Sequence, residues 1–231
     1  MGVSLVIPAY NEERTIGSII AVARTIEEIE EIIVVDDGST DCTSDEAQAS
    51  GAIVKLLPQN MGKAFAMVNG AIAAKSDYLL FLDADLLGLE SGHIESLLNP
   101  VVKGQARMSF GIFTKGRGST DIAQTLWPTL SGQRCLGRRD FLEIASACDG
   151  CGFGIEIVLT KYSKKEKWQV EEVDLPGVGH VMKEEKRGSA KGTIDRLKMY
   201  WDIAKMLAIP LDEYANYYRK KAEKQVNGGK K

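Results

Sequence analysis

The chain contains one strongly apolar run that ends in two carboxylates, Tyr78-Leu79-Leu80-Phe81-Leu82-Asp83-Ala84-Asp85. A short apolar run of this kind, bounded by polar residues, predicts a buried strand. An Asp-x-Asp at the end of such a strand concentrates negative charge at the edge of a sheet, where a divalent cation with oxygen ligands can hold a diphosphate. Taken alone, the tripeptide is also compatible with an ordinary surface turn, because aspartates are common in loops.

Predicted strands and helices alternate around this run. Further strands are expected at residues 3–7, 32–35 and 52–57, and helices at residues 16–26 and 62–75. Apolar residues recur at helical spacing in the first helix, which indicates that one of its faces is buried. The alternation predicts an α/β fold, in which a mostly parallel sheet is covered by helices on both faces through right-handed crossovers.

Polar segments follow three of these strands directly, after Ile7, Val35 and Leu82. Ligands of parallel α/β sheets bind beyond the carboxyl ends of the strands. The coincidence of three polar segments therefore predicts one site at that edge. Beyond the second strand, Ser39 or Thr40 is expected to cap a short helix.

The second half of the chain is less regular but still shows the periodic patterns of strands and helices. The expected elements are a helix at 91–102 interrupted at Pro100, a strand at 107–113, a helix at 153–162, a strand at 169–175 and C-terminal helices within 193–225. Two stretches between them, residues 114–120 and 176–192, are basic and contain glycine, which predicts loops.

The composition excludes several classes of function. The formal net charge of -3 and a pI near 5.6 leave no positive field that would gather nucleic acid. The apolar run at residues 3–7 lacks a basic flank and is too short for a signal peptide or a membrane span, so a cytoplasmic location is expected. Cys148 and Cys151 have no second Cys/His pair at zinc-ligand spacing and are expected in a glycine-rich turn.

Four segments resemble, in order and spacing, the inverting-type family 2 glycosyltransferases with a GT-A fold, a Rossmann-like α/β architecture. They are Val6-Ile7-Pro8-Ala9-Tyr10-Asn11-Glu12-Glu13, Val34-Val35-Asp36-Asp37-Gly38-Ser39-Thr40-Asp41, Asn60-Met61-Gly62-Lys63 and Asp83-Ala84-Asp85. Each segment alone is moderate support, whereas four in register are strong. The resemblance covers residues 1 to about 115 and favours the functional interpretation of the Asp-x-Asp over a surface turn.

Two later segments are similar to glucosyl-3-phosphoglycerate synthases, GT-A enzymes that retain the anomeric configuration and place glucose on a phosphorylated three-carbon acid. They are Trp127-Pro128-Thr129-Leu130-Ser131-Gly132-Gln133-Arg134 and Gly152-Phe153-Gly154-Ile155-Glu156-Ile157. The length of the chain fits one domain, expected over residues 1–225, and the polar tail at 226–231 is expected to be disordered. That domain would comprise a nucleotide-binding half at 1–115, an acceptor half at 116–192 and C-terminal helices at 193–225.

The resemblance also implies the metal ligands. Asp85 would coordinate Mg²⁺ or Mn²⁺, while Asp83, next to Ala84, would reach the ribose or a metal-bound water. His180 is expected to be a further metal ligand, since neutral imidazole can bind such ions. An ordinary loop histidine remains the alternative for His180, and His93 has no comparable support.

The nucleotide would contact the ends of the first two strands. By resemblance, Asp37 accepts a hydrogen bond from the uracil N3–H and Glu12 accepts from the ribose hydroxyls, as carboxylates can. Pro8, Ala9 and Tyr10 would form the loop against the base and ribose. The alternative for Glu12 is an acid favoured by the dipole of the following helix.

The sugar and phosphate side has its own candidates. Lys63 follows Gly62 at a helix start, which suits a phosphate, although a solvated surface lysine is the alternative. Glu156 resembles the acid that contacts the donor sugar, and Ser131 and Gly132 would offer backbone groups near the sugar and acceptor. If the enzyme inverts instead, a carboxylate base is needed, and the candidates are Glu156, Asp149 and Asp140.

Three functions are compatible with these residues. The first is transfer of a hexose, glucose in the resemblance, from a UDP-sugar to a small anionic acceptor such as 3-phosphoglycerate. Lys115, Arg117 and residues 183–187 could clamp that acceptor, although the alternative for these loop charges is that they are only solvated. The second keeps the fold but uses a polyprenyl or dolichyl phosphate at the membrane surface, with the C-terminal helices as an interfacial anchor. Those helices could equally be core or a homodimer contact. The third is a nucleotidyltransferase-like or non-catalytic nucleotide-binding module.

Overall fold

The computed structural model describes residues 2–113, 131–146 and 154–181. The strands are β1 (Val3–Ala9), β2 (Ile29–Asp36), β3 (Ile53–Leu56), β4 (Tyr78–Phe81), β5 (Leu86–Leu87), β6 (Met108–Ile112), β7 (Arg134–Gly137), β8 (Val170–Asp174) and β9 (Gly179–His180). The helices are α1 (Ile16–Ala23), α2 (Thr43–Ala49), α3 (Lys63–Ala73), α4 (Ser91–Val102), α5 (Arg138–Ser146) and α6 (Ile155–Lys165).

Seven strands form the main sheet, in the order β3-β2-β1-β4-β7-β6-β8. Strand β7 runs antiparallel to both of its neighbours, and the other neighbouring pairs are parallel. The predicted α/β fold with a mostly parallel sheet is therefore confirmed. The two-residue strands β5 and β9 pair antiparallel in a separate small sheet beside it.

Helices cover both faces of this sheet, as predicted. Successive residues of a strand point to opposite faces, so each strand packs against both helical layers. The face beneath α3, α5 and α6 buries Val6, Ile33, Val35, Leu79 and Phe81. The opposite face, beneath α1 and α4, buries Leu5, Ile7, Val34, Leu80 and Leu82. These strands are apolar on both sides, which is what a sheet buried between two helical layers requires.

Helix α3 approaches the sheet closely at Gly70. A Cβ built on Gly70 would overlap Val6 Cγ1 and lie 3.1 Å from Val35 Cγ2. The absence of a side chain at this position therefore lets the helix axis pack against β1 and β2. This packing fixes the start of α3, and hence Lys63, relative to the ends of those strands.

Two local predictions were wrong. Helix α4 continues through Pro100, which lies in its last turn, so the proline removes one helical hydrogen bond and the helix ends within one turn of it. Neither Ser39 nor Thr40 caps α2, whose N-cap is Cys42. Instead, Ser39 Oγ accepts from the backbone N–H of Asn11 at 2.9 Å, and the Thr40 N–H donates to Asn11 Oδ1 at 2.8 Å. These residues tie the loops after β1 and β2 together.

Strand β7 and helix α5 had no sequence-based prediction. The hydrophobic pattern of β7 covers only four residues, of which Arg134 is fully buried. A buried arginine breaks the apolar pattern on which strand prediction depends. The predicted loop at 114–120, the Cys148/Cys151 turn and the C-terminal helices lie outside the described residues.

No helix in the described part of the chain is long and apolar enough to cross a membrane. The cytoplasmic location stays a prediction.

Candidate functional site

The carboxyl ends of β1, β2 and β4 meet at one edge of the sheet. The Asp37 N–H donates to the Ala9 carbonyl at 2.8 Å, which joins the chain after β2 to the end of β1. Thr15 Oγ1 donates to the Ala84 carbonyl at 2.6 Å, which ties the N-terminal end of α1 to the Asp-Ala-Asp turn. The three polar segments that follow these strands therefore converge, as their positions in the sequence indicate.

Asp83, Asp85 and His180 form a cluster that suits a divalent cation. One ligand atom from each residue can be chosen so that all three lie within 4.8 Å of one another. His180 Nδ1 lies 2.8 Å from Asp85 Oδ1, and the pairing of β5 with β9 places His180 opposite Leu86. Carboxylate oxygens and an imidazole nitrogen are ligands that Mg²⁺ and Mn²⁺ accept, so the donor set fits such an ion.

The surroundings of His180 and Asp83 favour the charged form of each side chain. Burial alone would lower the pKa of His180, but the hydrogen bond to Asp85 and the charges of Asp83 and Asp85 raise it above the ordinary value. Burial would raise the pKa of Asp83, but the Lys63 ammonium, with help from His180, lowers it to about 2. Asp83 is therefore a carboxylate at any physiological pH.

Lys63 lies between two carboxylates at the start of α3. Its Nζ is 2.6 Å from Asp83 Oδ1 and 2.9 Å from Glu156 Oε1, and a third of its side chain is exposed. Burial alone would lower the pKa of Lys63, but Asp83 and Glu156 raise it above the ordinary value. An ammonium has three N–H donors, so these two contacts leave one for a further acceptor.

Glu156 and Arg134 connect this network to α6. Glu156 lies in the first turn of α6, after Gly154, whose φ of 115° favours glycine. Thr160 Oγ1 donates to the Glu156 carbonyl at 2.8 Å and accepts from Arg134 Nη2 at 3.1 Å. Arg134 is fully buried, and burial lowers its pKa to about 10 despite the opposing charge of Glu156.

Ser131 and Gly132 lie beside the carboxylates because β7 is antiparallel. Phe81 is paired with Arg134, so the chain before β7 passes the chain after β4. A Cβ on Gly132 would lie 2.5 Å from both Asp83 Oδ1 and Lys63 Nζ. Only glycine fits at this position without displacing the ion pair.

Asp37 shapes the turn that leads into α3. Its two carboxylate oxygens accept the backbone N–H groups of Met61 at 2.7 Å and Gly62 at 2.8 Å. A carboxylate has about four lone-pair sites, so both oxygens retain capacity for another donor. Asp37 therefore holds the backbone that carries Lys63 in position, in addition to any contact that it makes with a nucleobase.

The remaining nucleotide-loop candidates lie at the end of β1. Pro8 and Ala9 are buried within the strand, and Tyr10 follows it and is half-buried. The Glu12 N–H donates to Thr43 Oγ1 at 2.8 Å, which joins this loop to the first turn of α2.

Asp140 does not belong to this site. Asp140 lies in the first turn of α5. Its carboxylate accepts two hydrogen bonds from Arg107, from Nε at 2.9 Å and from Nη2 at 2.8 Å. Gly137, just before α5, pairs with Tyr78 at the opposite end of β4 from Asp83. Asp140 is therefore excluded as a base. Asp149, Lys115, Arg117 and residues 183–187 lie outside the described residues.

Two residues of this edge were missed by the sequence analysis. Gln133 Nε2 donates to Asp83 Oδ2 at 2.9 Å, and Thr15 holds the Ala84 carbonyl. Thr15 directly precedes α1, a position that signals a helix cap rather than a contact with a distant turn. Gln133 carries no local pattern of its own.

Comparisons with known sequences identify two groups of relatives. A glucosyl-3-phosphoglycerate synthase from Mycolicibacterium smegmatis is 34% identical over 43% of this chain and 36% of its own length. The synthase from Mycobacterium tuberculosis H37Rv is 36% identical over 45% of this chain and 35% of its own length. An undecaprenyl-phosphate 4-deoxy-4-formamido-L-arabinose transferase from Pseudomonas fluorescens is 31% identical over 58% of this chain and 42% of its own length. The chain thus spans about a third of the length of the synthases it matches.

Solved structures extend the likeness to most of the chain. The glucosyl-3-phosphoglycerate synthase from Mycobacterium tuberculosis in complex with Mn²⁺ and UDP-glucose has a TM-score of 0.71 at 25% identity, covering 90% of this chain and 80% of that one. The same synthase with Mg²⁺ and UDP has a TM-score of 0.67 at 26% identity over the same shares. The predicted GT-A fold is confirmed by these likenesses. The family model described as Glycosyl transferase family 2 matches residues 4–162. Since that match covers more than half of the chain, the chain belongs to glycosyltransferase family 2.

Proposed function

We propose that this chain is a metal-dependent glycosyltransferase that moves glucose from UDP-glucose to a small anionic acceptor such as 3-phosphoglycerate. The observation that carries the proposal is the cluster of Asp83, Asp85 and His180 at the carboxyl edge of the sheet. It lies beside Lys63, whose ammonium is 2.6 Å from Asp83 Oδ1. A cation site next to a lysine at a helix start is suited to a nucleoside diphosphate.

Asp85 and His180 would hold Mg²⁺ or Mn²⁺, and Asp83 would face the ribose or a water on the ion. When bound, the ion offsets the negative charge that the diphosphate acquires as the glycosidic bond breaks. Lys63 would add its remaining N–H donor to the same phosphate. Its two carboxylate contacts keep it charged and fixed in position, so it needs no reorganisation to bind the leaving group.

The nucleoside would lie along the ends of β1 and β2. Asp37 would accept from the uracil N3–H with its remaining lone pairs, and Glu12 would accept from the ribose hydroxyls. Pro8, Ala9 and Tyr10 would contact the base and ribose from one side, and Ala84 from the other. The bond from Thr15 to the Ala84 carbonyl supports the relative placement of these two groups.

The donor sugar would lie against Glu156, Ser131 and Gly132. The Glu156 carboxylate lies 2.9 Å from the Lys63 ammonium, and its remaining lone pairs can accept hydrogen bonds from sugar hydroxyls. The same ion pair engages Glu156 Oε1, which leaves less of the carboxylate for the acceptor hydroxyl that a general base must reach. Retention of the anomeric configuration, as in the synthases the chain resembles, is therefore the outcome we propose.

The relatives of the chain support the choice of 3-phosphoglycerate as the proposed acceptor. The synthases at 34–36% identity bear the acceptor in their name, and one neighbouring structure contains UDP-glucose together with phosphoglyceric acid. We place the nucleotide-binding half at 1–115, the acceptor half at 116–192 and the C-terminal helices at 193–225 in one domain. The single main sheet, which takes β1 to β4 and β6 from the first part and β7 and β8 from the second, supports that assignment.

The test is transfer itself. Purified chain is incubated with UDP-glucose, Mn²⁺ and 3-phosphoglycerate, UDP release is followed, and the anomeric proton of the product is read by NMR. We expect acceptor-dependent release, an α-anomeric product, and no release with glycerate, which lacks the phosphate. Failure of the chain to bind UDP in the presence of Mn²⁺, measured by calorimetry, contradicts the proposal as a whole.

A second candidate is transfer to a polyprenyl phosphate. The undecaprenyl-phosphate transferase that aligns with 58% of this chain favours it. In this case the C-terminal region would contact the membrane, whereas in the first it would not. Flotation with anionic liposomes separates the two, since only the second predicts that the chain floats. A homodimer through the C-terminal helices is tested in the same preparation by light scattering.

A further inference from the structure

Gln133 is fully buried and lies beside the Asp83 carboxylate. Its Nε2 donates to Asp83 Oδ2 at 2.9 Å, while Asp83 Oδ1 is 2.6 Å from Lys63 Nζ. Each oxygen of the Asp83 carboxylate therefore has its own donor. Two donors at fixed positions determine the rotation of the carboxylate about the Cβ–Cγ bond. A single donor would allow more than one rotation.

The orientation of the Gln133 amide is itself determined by Ser131. Ser131 Oγ lies 2.6 Å from Gln133 Oε1 and accepts from the Gln133 backbone N–H at 3.3 Å. The Ser131 hydroxyl donates to Oε1, because an amide oxygen can only accept. The amide nitrogen must then face Asp83. The reversed amide would set an oxygen against the carboxylate, with no proton between them.

The backbone supports this arrangement from the neighbouring strand. The Gly111 N–H donates to the Gln133 carbonyl at 2.9 Å, and Arg134 Nε donates to the Ser131 carbonyl at 2.8 Å. The first bond ties this segment to β6 and the second fixes the turn within it, so the Gln133 side chain has little freedom to follow a displaced Asp83. The antiparallel direction of β7 makes the contact possible, since it brings residues before β7 to the end of β4.

We propose that Gln133 is a positioning residue of the donor site, which fixes the rotation of the Asp83 carboxylate so that it faces Lys63 and the nucleotide–metal position together. The inference rests on the proposed function, because it assumes that Asp83 serves a nucleotide and its cation. It adds a residue that neither the Asp-x-Asp pattern nor any local signal identifies. Gln133 acts through Asp83 and is given no contact with the substrate.

The test measures UDP affinity in the presence of Mn²⁺ by calorimetry for the wild type, Gln133→Met, Ser131→Ala and the double variant. Methionine fills a similar volume without an N–H donor. A hydrogen bond to a charged group contributes enough that its loss is expected to weaken UDP binding about ten-fold or more. Ser131→Ala is expected to weaken it less, and the double variant to match Gln133→Met alone, because Ser131 acts through Gln133.

The matched control is Ser109→Ala on the adjacent strand β6. Ser109 is also fully buried, and its Oγ donates to the Leu97 carbonyl at 2.5 Å, away from the carboxylates. It is expected to lower the melting temperature without changing UDP affinity. If Gln133→Met behaves like this control, with UDP affinity within two-fold of the wild type, the positioning role is overturned. Should Gln133→Met not fold, Ser131→Ala decides the question by the same criterion.

The two proposals fail in distinguishable ways. If the wild type binds no UDP with Mn²⁺, the proposed function and this inference fall together. If the wild type binds UDP, and Gln133→Met and Ser131→Ala bind it as tightly as the wild type does, the proposed function stands and only the role of Gln133 is overturned.

Discussion

The imidazole Nδ1 of His180 lies 2.8 Å from Asp85 Oδ1, although 95 residues separate them in the chain. The contact is fixed at the backbone as well, since the Val181 N–H donates to the Asp85 carbonyl at 3.1 Å. His180 also packs edge-on against Phe113, with ring centroids 4.9 Å apart. The imidazole is thus held in position before any ion arrives, which reduces the ordering cost of binding one.

Replacing His180 by alanine is expected to weaken Mn²⁺ binding by about ten-fold or more, since it removes one of the three clustered ligands. The direct measurement is calorimetric titration of the protein with Mn²⁺. His93→Ala is the matched control. His93 is part of the capping box of α4, so its loss should cost about 1 kcal/mol of stability and leave Mn²⁺ affinity unchanged. Equal Mn²⁺ affinity in the wild type and the His180 variant would refute the assignment.

Gly132→Ala is expected to lower kcat/KM by about 10²-fold while the protein remains folded. The new Cβ would lie 2.5 Å from Lys63 Nζ and Asp83 Oδ1, so the ion pair must separate to admit it. Gly92→Ala, on α4 with nothing within 4 Å of the added carbon, is the control and should retain wild-type activity. A Gly132→Ala enzyme with unaltered kcat/KM means that the Lys63–Asp83 pair is not needed in its present geometry.

The sequence predicted the parts of the site that follow strands directly. Asp37 and Asp83 are recognisable because each comes at the end of an apolar run, and such ends share one edge of a parallel sheet. Gln133 could not be found in this way. The strand that follows it, β7, is antiparallel and short, and the apolar pattern of that strand is interrupted by Arg134, which is buried with Ser131 and Thr160 as hydrogen-bond partners. Long-range pairing, which periodicity does not encode, determines where such residues lie.

Thr15→Val is expected to destabilise the protein by about 1–3 kcal/mol, because the Ala84 carbonyl would lose its donor in a buried position. The change should also weaken UDP binding with Mn²⁺, since it loosens the turn between the two aspartates. Chemical denaturation and calorimetry measure the two effects. Thr25→Val is the control, because Thr25 Oγ1 makes the same kind of bond to the Val22 carbonyl at an exposed position. Its stability should change by less than about 0.5 kcal/mol, and its UDP affinity should not change.

Gly70→Ala is expected to destabilise the protein by about 1–3 kcal/mol, because the added methyl group overlaps Val6 in a packed interface. Val6 is fully buried on β1, so neither its side chain nor the helix backbone can move away without losing packing contacts. Val6→Ala should also destabilise, by leaving a cavity, but it makes room for the alanine at position 70. In a double-mutant cycle the combined loss in free energy of unfolding should therefore be smaller than the sum of the two single losses. Strictly additive losses would mean that α3 shifts as a whole, in which case Lys63 should move away from Asp83 and activity should fall with stability.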